Sequence, residues 1–197
     1  MTELGLFRHG QTDWNIDLRL QGTAEVPLNQ TGIEQVTRAA AMLAEHSWDV
    51  ILSSPLGRAK QSAEIIQRSL GLSQSKIEPL LLERAFGIGE GMDYKTWQEQ
   101  FAHLDSIPGA ESASSVAERS RKLLEFMERE YQGAKVLAVS HGALIRFVLS
   151  EVTNGEVPPK GERLQNASLH LLRHQGAWEL EAWAPEPLGQ SNPLTER

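Results

Sequence analysis

Short apolar runs alternate along the chain with stretches in which apolar side chains recur every three or four positions. Leu4-Gly5-Leu6-Phe7, Val50-Ile51-Leu52, Leu80-Leu81-Leu82 and Val136-Leu137-Ala138-Val139 predict short buried strands. The intervening stretches predict helices, with one face each formed by Ile33, Val36, Ala40, Leu43 and Ala44; by Ala59, Ala63, Ile66 and Leu70; by Val116, Leu123, Leu124, Met127 and Tyr131; and by Leu144, Ile145, Val148, Leu149 and Val152. Thr31-Gly32-Ile33-Glu34 and Ser115-Val116-Ala117-Glu118 read as capping boxes that open two of these helices. Toward the carboxyl end, Ser168–Arg173 and Trp178–Trp183 predict a hairpin about Gln175-Gly176. Strands alternating with helices predict an α/β fold with a mostly parallel central sheet. No linker or repeat interrupts the pattern, so a single domain is expected over residues 1–184. Pro185, Pro187 and Pro193 mark 185–197 as a flexible tail.

Two stretches fit neither period. The polar segment from Arg8 to Leu28 is too long to be an idle connection. The segment from about 84 to 112 holds four glycines, at 87, 89, 91 and 109, and a short helical pattern near Tyr94–Leu104, as a lid-like segment would.

Composition narrows the function classes. A net charge of −7 argues against non-specific nucleic-acid binding. The absence of cysteine removes disulfides, a thiol nucleophile and thiolate metal sites. No apolar run reaches the ~18 residues of a membrane span, and Met1-Thr2-Glu3 opens no signal-peptide pattern. A cytoplasmic protein with no membrane partner is expected, monomeric or homodimeric.

The chemistry gathers at strand ends. Arg8-His9-Gly10 ends the first apolar run, and Ser140-His141-Gly142 ends another, with the two histidines 132 residues apart. If those strands are parallel neighbours, both imidazoles lie on one sheet edge, where open α/β sheets bind ligands. Arg8 and Arg58 offer donor forks matched to phosphoryl oxygens, and Arg58 opens a helix whose terminal N–H groups also favour anions. Asn15 and Gln21 add amide donors from the long polar segment. Guanidinium neighbours would hold His9 neutral and therefore nucleophilic. Attack by His9 would form a phosphohistidine, dividing one difficult displacement into two. A carboxylic acid at Glu83, at the end of the Leu80–Leu82 run, could protonate the leaving alkoxide and then deprotonate water. Glu90 and Glu111 stand nearby in sequence as alternatives. His46, His103, His170 and His174 lack phosphate-suited neighbours and are read as surface or packing residues. No histidine pair has metal-ligand spacing on a helix face. The arginines can supply the charge stabilisation that a cation supplies elsewhere, so neither metal nor cofactor is expected and activity should survive a chelator.

The decamer Leu6-Phe7-Arg8-His9-Gly10-Gln11-Thr12-Asp13-Trp14-Asn15 resembles the signature of the histidine phosphatase superfamily, the phosphoglycerate-mutase-like enzymes. Five further blocks follow in the family's order: Leu20-Gln21-Gly22 with Pro27-Leu28 and Thr31-Gly32; Ser53-Ser54-Pro55-Leu56-Gly57-Arg58-Ala59-Lys60-Gln61-Ser62-Ala63; Glu83 with Gly87 and Glu90-Gly91; Pro108-Gly109-Ala110-Glu111-Ser112; and Val139-Ser140-His141-Gly142. The resemblance implies a three-layer α/β/α sandwich. It also implies His9 as the phosphorylated nucleophile, Glu83 as general acid/base, and Arg8, Arg58 and His141 on the phosphoryl group with Asn15 assisting. Gln21 and Gly22 would line the mouth, with Gly142 beside the phosphate. Ser62 departs from the commoner threonine, and Ala85-Phe86 from the tyrosine that mutases tend to carry.

Three functions fit this pattern: a phosphatase for a small phosphorylated metabolite, a phosphoglycerate-mutase-type phosphoryl transfer, and a non-catalytic phospho-ligand-binding module. The chain lacks the long insertion that closes mutase sites. Its 83–112 segment carries six carboxylates against two cations. A phosphatase acting on esters with a neutral or modestly charged leaving group is therefore expected.

Overall fold

The computed structural model describes residues 1–188. The strands are β1 (Thr2–Arg8), β2 (Val50–Ser53), β3 (Lys76–Ile77), β4 (Lys135–Ser140), β5 (Leu169–His174) and β6 (Trp178–Ala182). They form one six-stranded sheet in the order β3-β2-β4-β1-β5-β6. The first four strands in that order are parallel, and β5 runs against β1 as the inner arm of the carboxyl-terminal hairpin.

The helices are α1 (Asp13–Ile16), α2 (Gln30–Leu43), α3 (Gly57–Leu70), α4 (Tyr94–Gln100), α5 (Ala113–Glu130) and α6 (Gly142–Val152). The period-two alternation of the strands divides the core into two layers. Leu4, Leu6, Val136 and Ala138 face α5 and α6, whereas Phe7, Leu137, Val139 and Ile51 face α2 and α3. Gly5 lies on the face of Phe7 by strand alternation, and Trp48 packs across it; a Cβ there would stand 2.6 Å from the indole. A smaller apolar cluster of Leu20, Phe86, Trp97 and Ile107 joins the polar segment after β1 to the 84–112 segment.

Local signals misplace several boundaries, and tertiary contacts explain why. Helix α2 is capped by Asn29, which accepts from the Gly32 N–H at 2.8 Å, not by Thr31. The Asn29 amide is itself tied to Gln11 and Asp13, which anchors the helix start to the post-β1 segment. Helix α5 starts a turn early, capped by Ser112, with the Ala113 N–H donating to Asp105. Leu80–Leu82 is not a strand: Pro79–Leu81 is a 3₁₀ turn, and the edge strand is Lys76–Ile77. Pro79 has no N–H for a ladder, and the Ser140 hydroxyl takes the Leu81 carbonyl instead. The tail boundary also moves. Leu188 is buried and its N–H donates to Ala167, so 185–188 are docked; the rest of the expected tail, 189–197, lies outside the described residues.

Candidate active site

Strands β1 and β4 pair in parallel with Arg8 opposite Ser140, so the residues that follow, His9 and His141, emerge side by side at the carboxyl edge. Their ring centroids are 5.2 Å apart. Strand β2 lies beside β4 and delivers Ser54 and then α3 with Arg58 to the same edge. A cavity of about 320 Å³ opens there, lined by Arg8, His9, Asn15, Gln21, Gly22, Arg58, Glu83 and Gly142. His141 is fully buried behind that wall, its Nε2 2.7 Å from the Ser54 hydroxyl.

His9 is fixed in a definite state. Its Nδ1 stands 2.7 Å from the Gly10 carbonyl, which can only accept, so Nδ1 carries the proton and Nε2 keeps its lone pair. Burial, then the Arg58 and Arg8 charges, hold its pKa well below 6.5. Burial, Arg58, His9 and Arg8 do the same to His141. Burial lowers the Arg8 guanidinium to about 10, with Glu83 opposing, so it remains a cation at neutral pH. Arg58 is wholly buried, donating to the carbonyls of Ala24 and Gly22 at 2.8 Å each. Gly22 sits at φ 55°, and a Cβ there would lie 2.1 Å from a Glu90 carboxylate oxygen, so glycine is required at this close approach.

Glu83 reaches the edge from the 3₁₀ turn and meets the start of α6. One carboxylate oxygen accepts from Arg84 N at 2.9 Å and Leu144 N at 3.1 Å, the other from Ala143 N at 3.2 Å. The alternatives named by sequence are used elsewhere. Glu90 accepts from Thr23 and Phe86, and Glu111 pairs with Arg119 at 2.7 Å. The other acids of the 84–112 segment are engaged as well: Asp93 caps α4, Asp105 pairs with Arg84, and Glu99 faces Lys95 in solvent. The cavity wall carries one carboxylate, Glu83, and six arginines, at 8, 19, 58, 84, 146 and 163. The expectation that the acids of the 83–112 segment repel an anionic leaving group holds only if they face the cavity, and they do not: apart from Glu83 they serve as a cap, ion pairs and acceptors of Thr23 and Phe86, leaving a cationic wall.

Sequence reasoning missed Asn166 and assigned no role to Ser54, Arg146 or Arg163. The Asn166 amide donates to the His9 carbonyl at 3.0 Å, to Gly10 at 3.3 Å and to the Asn15 side-chain oxygen at 3.1 Å. That oxygen also accepts from the Thr12 N–H and hydroxyl, so the Asn15 amide group is left as the donor end. Asn166 precedes Ala167, whose φ of 59° turns the chain into β5, and neither feature has a local sequence signal. Arg146 did have one, as the single charge within the apolar run Leu144-Ile145-Arg146-Phe147-Val148.

The histidine phosphatase superfamily (branch 1) profile matches residues 4–185. The chain belongs to the histidine phosphatase superfamily. Among curated relatives, the uncharacterised phosphatase PhoE of Bacillus subtilis is 37% identical over 170 residues, 86% of each chain. The metal-independent phosphoserine phosphatase of Arabidopsis thaliana is 32% identical, over 93% of this chain and 82% of that one. Proteins described as probable phosphoglycerate mutases match as well. The structure of a mycobacterial glucosyl-3-phosphoglycerate phosphatase complexed with VO3 superposes with a TM-score of 0.80 at 30% identity, covering 92% of this chain and 98% of the other. The protein is thus an enzyme of the phosphatase/mutase type with the superfamily's mixed α/β fold. No helix among the described residues is long and apolar enough to cross a membrane.

Proposed function

We propose that the protein is a phosphomonoesterase that hydrolyses a small phosphorylated metabolite through a covalent phosphohistidine on His9. The observation that carries this reading is the His9 ring. It is buried, held neutral beside two guanidinium groups, and oriented by Gly10 so that the Nε2 lone pair is free.

Arg8, Arg58 and the Asn15 amide bind the non-bridging oxygens of the ester, with His141 beside His9. Nε2 attacks phosphorus, the phosphorus–oxygen ester bond breaks, and Glu83 gives its proton to the departing alkoxide. Water then attacks the phosphohistidine, Glu83 takes the proton, and the phosphorus–nitrogen bond breaks to free phosphate and restore His9. The guanidinium groups lie where negative charge accumulates, so they stabilise both transition states without reorganising.

Water is favoured as the final acceptor over a hydroxyl of the same substrate. The cavity opens to solvent through exposed Leu18 and Tyr94, which is unsuited to sheltering a phosphoenzyme between two half-reactions. Steady-state turnover of a panel of monoesters tests this, with 3-phosphoglycerate followed for both phosphate release and isomerisation. Phosphate release that is lost in His9→Ala, together with an acid-labile phosphoenzyme, is the expected result. Isomerisation without release would make the enzyme a mutase, and silence on both would favour a binding module.

A further inference from the structure

Three buried side-chain nitrogens at the catalytic edge have no partner among the described residues: Arg8 Nε, Arg58 Nε and His141 Nδ1. The two guanidinium nitrogens are donors whatever surrounds them. An imidazole nitrogen is a donor only when it carries the proton, so the part His141 can play depends on its tautomer.

Ser54 meets the other nitrogen of that ring. Its backbone N–H donates to the Val139 carbonyl at 3.0 Å, which extends the β2–β4 ladder and ties Ser54 to the strand that delivers His141. Its hydroxyl oxygen accepts the Leu56 N–H at 3.3 Å and stands 2.7 Å from His141 Nε2. Ser54 is fully buried, and no carbonyl or carboxylate among the described residues takes its hydroxyl proton. That proton has a partner only if Nε2 accepts it, and buried donors are rarely left without one. The ring proton of His141 then sits on Nδ1. Burial first, then Arg58, His9 and Arg8, keep the ring from taking a second proton.

The two neighbouring imidazoles thus share one tautomer and do opposite work. The Gly10 carbonyl takes the Nδ1 proton of His9 and frees Nε2 as a lone pair for phosphorus. The Ser54 hydroxyl occupies the Nε2 lone pair of His141 and leaves Nδ1–H to donate. The other tautomer would offer a lone pair to phosphoryl oxygens, which repel it. His141 opens α6 without using its ring as a cap, so Nδ1 is uncommitted. The ring centroids are 5.2 Å apart, so a phosphoryl group meeting His9 Nε2 is within reach of the second ring.

We propose that Ser54 is a positioning residue whose hydroxyl fixes His141 in the Nδ1–H tautomer and so makes that ring a hydrogen-bond donor to a phosphoryl oxygen. The proton stays on Nδ1, and only a hydrogen bond is made. This deepens the phosphatase reading and rests on it for the phosphoryl group beside the two rings.

Nitrogen-15 NMR of the imidazoles near neutral pH reads the tautomers directly, and calorimetric titration with orthovanadate reads anion binding without turnover. Wild type should carry the proton on Nδ1 of both His9 and His141, and orthovanadate should move the His141 Nδ1 proton downfield. In Ser54→Ala the His141 proton should pass largely to Nε2, the nitrogen that free histidine side chains favour, while His9 keeps its tautomer. If about a fifth of the rings remain donors at Nδ1, orthovanadate binding weakens about fivefold. Ser54→Thr keeps the hydroxyl and should restore both readings. A proton on His141 Nε2 in the wild type would overturn the proposal, as would an unchanged tautomer or an unchanged orthovanadate affinity in Ser54→Ala. Unaltered His9 signals separate these outcomes from a distorted site. The phosphatase reading fails separately, if the wild-type enzyme releases phosphate from no monoester while the His141 tautomer and orthovanadate binding still follow Ser54.

Discussion

Replacing Glu83 by glutamine separates its chemical task from its structural one. In the native site three backbone N–H groups point at the carboxylate, two at one oxygen and one at the other. A glutamine carbonyl can take the place of the first oxygen and keep the bonds from Arg84 and Leu144. Its NH₂ group then faces the Ala143 N–H, where two donors meet. One modest bond is lost and one buried donor left short, about 1–2 kcal/mol of stability. The fold should therefore survive with a Tm a few degrees lower. The chemical loss is larger, because an amide can neither give nor take the proton. General acid catalysis contributes about 10²–10⁴ in rate, or about 3–5 kcal/mol of barrier, when the leaving alkoxide is strongly basic. 4-Nitrophenolate leaves almost unaided, so its ester should lose no more than about tenfold. The assay is kcat/KM for a series of phosphate esters of graded leaving-group pKa, wild type against Glu83→Gln. The variant's plot should fall more steeply as leaving-group pKa rises. Parallel plots, with equal loss on every ester, would refute the assignment and reduce Glu83 to an anchor for α6.

Asn166→Ala removes the donor shared by His9, Gly10 and Asn15, at a cost of about 1–2 kcal/mol of stability. With Asn15 freed, kcat/KM should fall about tenfold or more, and an unchanged value would show that Asn15 is held by Thr12 alone. Gly22→Ala places a side chain at φ 55° and drives a Cβ into Glu90; about 2–3 kcal/mol of destabilisation is expected from urea melts, with weakened phosphate inhibition because the Gly22 carbonyl aligns Arg58. His170, fully buried and stacked 4.9 Å from Trp183, has its pKa pushed by burial from 6.5 to about 3. Its unfolded form binds a proton below pH 6.5 while the folded form does not, so its contribution is intact above 6.5 and declines as pH falls toward 3. The slope approaches about 1.4 kcal/mol per pH unit only well below pH 6.5, so between pH 7 and 5 urea titrations of His170→Phe should lose about 2 kcal/mol less stability than wild type. Equal slopes would mean that His170 is already solvated in the folded state.

The sequence by itself was enough to specify the alternation of strands and helices, the helix faces, the strand-end position of Arg8, His9 and His141, and the family blocks that brought in Asn15, Gln21, Gly22, Arg58, Glu83 and Gly142. These are legible because burial imposes a period on the side chains, and because a strand that runs into Arg-His-Gly carries its chemistry in consecutive residues. Choices between equivalent local groups were not legible. Asn29 caps α2 in place of Thr31, and Ser112 caps α5 in place of Ser115, because a cap is selected by what else its side chain and neighbours touch. The family blocks singled out Glu83 over Glu90 and Glu111, and the tertiary structure supplied the physical difference: backbone N–H groups of α6 hold Glu83 at the cavity, whereas Thr23 and Phe86 take up Glu90 and Arg119 takes up Glu111. The tertiary structure also reversed the sign of the charge expected around the cavity. A count of acids along 83–112 sums charge over the chain, whereas the field a ligand meets depends on which side chains line the cavity. There the acids of the segment, Glu83 apart, are taken up by a helix cap, ion pairs and neighbouring donors, and arginines distant in sequence, Arg146 and Arg163 among them, line the wall.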